Sequence, residues 1–109
     1  MRAAVFFADD RIKESFLALT SSTAENAEIY RGLNGAFDAL ALDAFCGIQI
    51  PKRLIPKSYI ARYVIDNLWK YNFHKNWRLM YSVAGDGKTV IALIIEWLPH
   101  KEYERRFGY

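Results

Sequence analysis

Arg78, Lys70, His100 and Tyr103 are the residues of this chain best suited to chemistry, and all four fall between Asn67 and Tyr109. Lys70 and Arg78 sit in two short stretches rich in aromatic and β-branched residues, at positions that strand alternation sends to one face of a sheet. Cleaving a phosphodiester beside a 2′-hydroxyl requires that hydroxyl in line with phosphorus, cations to neutralise the crowded phosphorane, and a group that protonates the leaving 5′-oxygen. Arg78 suits the phosphate because its planar fork engages two oxygens at once. His100 and Tyr103, directly after a third such stretch, are the candidates for proton transfer. Lys52, Arg53 and Lys57 in the segment PKRLIPK, with Asn72, Lys75 and Lys101, are further candidates for holding a polyanion such as RNA.

Each of these residues also has an ordinary reading. Exposed Lys and Arg are common on open sheets. A single histidine is more often a cap or a surface polar residue than a catalyst, and Tyr103 can pack its ring on a sheet edge with its hydroxyl wet. PKRLIPK reads equally as a solvated loop, and the three tryptophans as core.

Composition sets the frame. A chain of 109 residues that is 52% hydrophobic and 16% aromatic reads as one domain, 1–109, able to bury roughly two thirds of its unfolded surface. Fifteen Lys and Arg against twelve Asp and Glu give a formal charge of +3, a lean toward acidic partners. The single Cys46 excludes an internal disulfide framework and a multi-cysteine zinc site, and fits the reducing cytosol. His74 and His100 lie too far apart in sequence to give a metal-ligand spacing. The start MRAAVFFADD is too short in apolar residues for a signal peptide, and VIALII is far short of a membrane span. The expectation is a cytoplasmic protein with no metal and no membrane partner.

Ala3 to Phe7 reads as a strand, and Asp9-Asp10 as a helix start followed by Ile12, Phe16 and Leu19 at helical spacing. Ser22-Thr23-Ala24-Glu25 has the form of a capping box and predicts a second helix starting at Ser22, running through Tyr30, Leu33, Phe37 and Leu40 toward Cys46-Gly47. Residues 48–66, with Pro51 and Pro56, read as an irregular, partly extended connection, in which a helical turn from Tyr59 to Val64 is left open. Leu68 to Phe73, Arg78 to Val83 and Val90 to Trp97 read as strands joined by tight hairpins, the last apolar on both faces and so central. HKEYERRFGY then forms a short helix or an ordered tail. The order predicts an α+β domain, with an N-terminal strand and a helical hairpin packed on one face of a mostly antiparallel sheet. Trp69, Tyr71, Phe73, Leu79, Tyr81 and Val83 are expected beneath the helices, leaving Lys70, Asn72 and Arg78 on an opposite, open face.

This order, with the string LWKYNFHKNWRLMYSV, an aliphatic strand and HKEY, resembles the RelE/ParE superfamily of type II toxins. The resemblance runs from VFFADDRIKESFLAL onward and is most specific from Leu68 to Tyr103. Its matches are Trp69-Lys70, Trp77-Arg78-Leu79-Met80-Tyr81 and His100-Lys101-Glu102-Tyr103, the last similar to the HigB branch. It implies an mRNA interferase that cuts mRNA on the ribosome through the RNA's own 2′-hydroxyl, without metal or cofactor, and that is held in check by an acidic antitoxin. Arg78 would then stabilise the phosphate, Lys70 supply charge or act as base, and His100 or Tyr103 act as acid or positioning group. Two departures stand out. Asn72 stands at the second basic position of the family strand that Leu68 to Phe73 matches, and Leu98-Pro99-His100-Lys101 replaces the Gly-basic-Arg tail of many members. ParE-like members share the fold but poison DNA gyrase without being nucleases, so a gyrase inhibitor or a degenerate RNA- or protein-binding member is the alternative.

Overall fold

The computed structural model describes residues 2–21 and 23–108. Its elements are β1 (Ala3–Phe7), α1 (Asp10–Ala18), α2 (Ala24–Leu42), β2 (Ile48–Gln49), α3 (Lys57–Tyr63), β3 (Trp69–Phe73), β4 (Trp77–Gly85), β5 (Val90–Pro99) and α4 (His100–Phe107). Single 3-10 turns follow α1 and precede α3. Among the described residues the strands form one mixed sheet in the order β1-β5-β4-β3-β2, with β1 parallel to β5 and every other neighbour antiparallel. The fold is therefore α+β, with four α-helices and a five-stranded sheet among the described residues.

Local chemistry accounts for the helix starts. The Asp9 carboxylate accepts from the Ile12 amide at 3.0 Å and caps α1. Ser22 lies outside the described residues; the cap of α2 is Thr23, whose hydroxyl accepts from the Asn26 amide at 3.2 Å, so the helix begins at Ala24. It ends at Leu42, earlier than Cys46-Gly47, because Asp43 turns to extended backbone and its carboxylate accepts the Phe45 amide at 2.9 Å. Gly32 lets α2 lie close on β3, since a Cβ there would meet the Phe73 ring at 2.8 Å.

Alternation holds across β3 and β4. Ile12, Phe16, Ile29, Leu33, Ala36 and Leu40 of the helices bury against Phe73, Leu79, Tyr81, Ala92 and Ile94, with Trp69, Tyr71, Val83 and Phe37 packed around them. Each large side chain so buried stabilises the fold by about 1.5–3 kcal/mol. β5 lies between β1 and β4 and is covered on both faces, as its apolar sequence requires.

The opposite face is not open, which corrects the sequence reading. Ile50, Ile55, Tyr59, Ile65, Leu68, Met80, Ile95, Leu98, Tyr103 and Phe107 form a second core there. Residues 48–66 are a cover rather than a loose connection: β2 extends the sheet and α3 brings Tyr59 against Phe107, their ring centroids 6.1 Å apart. Tyr103 and Phe107, one turn apart on α4, stack at 4.7 Å and close the other side. A bulge in β5, opposite Met80 and Tyr81, carries the extra residue Ile95 into this core.

Candidate functional site

At one end of the second face, three elements meet. Asn72 and Arg78 are paired across β3 and β4, and the turn between those strands puts His74 and Lys75 in the left-handed region, with φ of 42° and 56°. Asn76 closes the turn, and its carbonyl accepts the His100 amide at 2.6 Å. The tip of the hairpin is thus tied to the first residue of α4, where Pro99 supplies the φ that a helix start tolerates. Asn72, Lys75 and Lys101 are exposed around this junction.

Arg78 and His100 touch. Nη2 of Arg78 lies 2.8 Å from Nδ1 of His100, and its Nη1 donates to the Trp77 carbonyl at 3.2 Å. Its Nε is buried and has no partner among the described residues. A guanidinium has donors only, so Nδ1 is the acceptor and the imidazole proton is on Nε2. That nitrogen faces Oε1 of Glu104 at 2.7 Å, one helical turn on. The three side chains form a directed chain, Arg78 to His100 to Glu104. The His100 and Glu104 side chains, 42% and 43% exposed, leave it open to a ligand.

Lys70 and Tyr103 are also brought together, but differently from the expectation of two groups facing RNA. Tyr103 is only 2% exposed and its hydroxyl is buried, so it is part of the second core rather than a group presented to solvent. The Lys70 ammonium stands over its ring. Of the two proton-transfer candidates, His100 alone is solvent-accessible. Lys52 is elsewhere: it lines a groove of about 550 Å³ with Asn67, Trp69, Gly85 and Gly87. From Arg78 to Gly85 the strand covers roughly 20 Å at about 3.3 Å per residue. Arg53 and Lys57 are exposed on the turn and helix that cover the second face.

Two features of α4 were not among the sequence candidates. Glu104 is one, although its i, i+4 relation to His100 was available from spacing alone. The other is the use made of the remaining charges. Arg105 and Arg106 both bind Glu102, holding its carboxyl below the usual carboxylate range, Arg105 contributing most. Arg106 also reaches Glu96 at 2.8 Å and the Tyr59 hydroxyl at 3.4 Å. These two cations are engaged within the protein, whereas Lys75 on the hairpin turn and Lys101 beside His100 are exposed. Among the described residues no group of three or more His, Cys, Asp or Glu side chains is placed to hold a metal ion, and no helix is long and apolar enough to cross a membrane.

Comparisons with models of protein families, with curated proteins and with solved structures find no significant match to the chain.

Proposed function

We propose that this protein is a RelE/ParE-like toxin that cleaves mRNA on the ribosome, with the RNA 2′-hydroxyl as nucleophile and an acidic antitoxin protein as its inhibitor. The observation that carries the reading is the contact between Arg78 and His100, a phosphate-binding fork 2.8 Å from a proton-transfer group in a half-exposed site. Element order supports it, with a strand, a helical hairpin and three closing antiparallel strands followed by a helix on the cationic face. Lys70, Lys75 and Lys101 add the positive charge that a polyanion needs near the cleavage point.

A second reading, inhibition of DNA gyrase without cleavage, is favoured by one observation. Asn72, directly across from Arg78, is uncharged where the resembled nucleases carry a second cation.

Induced expression, with mRNA ends mapped on translating ribosomes and gyrase–DNA complexes assayed in parallel, separates the two. Growth arrest with new 5′-hydroxyl mRNA ends supports the nuclease. Arrest with intact mRNA and trapped gyrase replaces it with the second reading, and the absence of both effects removes the toxin assignment.

A further inference from the structure

We propose that Glu104 is a positioning residue of this site: it holds His100 as the Nε2–H tautomer, so that Nδ1 faces Arg78 and the two groups close the site until a phosphate oxygen displaces that contact. The inference rests on the reading of Arg78 and His100 as the cleavage pair, and names how that pair is kept and released.

The geometry carries it in three steps. Glu104 accepts from Nε2 at 2.7 Å, a charge-assisted bond between side chains too exposed to add much to stability. Its effect is on the ring: an acceptor at Nε2 and a donor at Nδ1 both select one tautomer and one orientation. Arg78, for its part, is incompletely satisfied, with one Nη on a main-chain carbonyl, the other on an imidazole and a buried Nε without a partner among the described residues. A phosphate offers that fork two anionic oxygens, a stronger pairing than a neutral ring nitrogen.

Once a phosphate oxygen takes Nη2, the Nδ1 lone pair is released beside the phosphorus. Nδ1 then accepts the 2′-hydroxyl proton as O2′ bonds to phosphorus and the bond from phosphorus to O5′ breaks. The departing O5′, on the opposite side of phosphorus in an in-line displacement, takes its proton from water, and the imidazolium, held at Nε2 by the Glu104 carboxylate, gives its proton back to solvent. The products are a 2′,3′-cyclic phosphate and a 5′-hydroxyl, with no net proton change.

The test uses uniformly 15N-labelled full chain and two-bond proton–nitrogen correlations of the His100 ring, alongside single-turnover cleavage on translating ribosomes. Wild-type protein should show one neutral tautomer, protonated at Nε2, and a strand with a 2′-deoxy scissile nucleotide should move the Nδ1 signal. Glu104→Ala should lose the single-tautomer signature and lower the cleavage rate about 100-fold with KM little changed. Glu104→Gln, whose amide oxygen still accepts from Nε2, should restore the tautomer and part of the rate. A wild-type ring protonated at Nδ1, or a spectrum unchanged in Glu104→Ala, overturns the positioning role whether or not mRNA is cut. A wild-type protein that cuts no mRNA yet shows the expected spectra overturns the cleavage reading instead.

Discussion

The ammonium of Lys70 stands 4.6 Å above the ring centroid of Tyr103, so a charge on the cationic face rests on a side chain of the second core. Tyr103 acts on that face through where its ring sits. Tyr103→Ala should cost about 3–5 kcal/mol, as truncation of a buried aromatic does, read as a shift in the urea midpoint. Lys70→Met keeps the apolar stem and removes the charge. It should move stability by no more than about 0.5 kcal/mol, while lowering the slope of log affinity for RNA against log salt by roughly 0.7–1. An unchanged salt slope would remove Lys70 from the RNA surface.

On the proposed nuclease function, Arg78→Ala should lower cleavage on translating ribosomes by about 100- to 1,000-fold and relieve growth arrest, because the charge lost would be the one nearest the phosphorane. Arg78→Lys should recover only part of this, since an ammonium lacks the planar fork and cannot offer paired donors to two phosphate oxygens. Circular dichroism of both variants should match wild type. Full cleavage by Arg78→Ala would exclude the proposed site.

Tyr81 clamps the start of β2. It is 0% exposed, and its hydroxyl donates to the Ala44 carbonyl at 2.8 Å and accepts the Gly47 amide at 3.1 Å. Gly47 has no room for a side chain, because a Cβ would lie 2.5 Å from both the Lys70 carbonyl oxygen and the Tyr81 hydroxyl. Burial pushes the Tyr81 phenol far above its usual range, the Gly47 hydrogen bond offsetting only part of that; burial and then Glu96 do the same to Tyr59. Both rings stay protonated in the folded chain where they ionise in the unfolded one, at about pH 10. Their contribution is therefore complete below about pH 10 and falls as pH rises beyond it, by up to about 1.4 kcal/mol per unit for each ring. Tyr81→Phe should cost about 1–3 kcal/mol at neutral pH by leaving two main-chain groups unpaired, and should flatten the alkaline limb of the stability curve. Denaturation series at neutral and alkaline pH check both effects.

Val64 ends α3 in the left-handed region, with φ 52° and ψ 48°, although it is β-branched and 88% exposed. No packing is lost by removing so exposed a side chain, and the strain of the position is of order 1–3 kcal/mol. Val64→Gly should therefore raise stability by about 1 kcal/mol even after the greater freedom of glycine in the unfolded chain. For a domain of this size that corresponds to roughly 4–8 °C in Tm by calorimetry. A lowered Tm would mean that the valine has a packing role.

The first core was legible because its signals are periodic. Trp69, Tyr71 and Phe73 alternate with Lys70 and Asn72, and a sheet leaves such a pattern one orientation against α1 and α2. The second core was not, because its residues come one or two to an element: Ile50 and Ile55 beside prolines, Tyr59 on a helix of two turns, Tyr103 and Phe107 among charges. No window there is long enough for a period to emerge. Arg78 and His100 could be named from residue type, but their contact depends on the hairpin turn meeting α4 through Asn76 and His100. Tyr103 looked equally available in sequence, and burial separates it from His100. Lys52 looked close to the other cations because sequence shows charge without showing which end of a strand it borders.

The parallel pairing of β1 with β5, which joins Ala3 to Val90, also has a consequence in time. During synthesis the first strand waits beside its helical hairpin until the fifth has emerged from the ribosome. Closure at such separation is slow compared with that of a bundle of similar size. The contact between Arg78 and His100 waits longer still, since His100 follows β5 and is aligned only when α4 lies down on the finished sheet. A nascent chain can therefore bring its first helices together well before Arg78 has a histidine to meet.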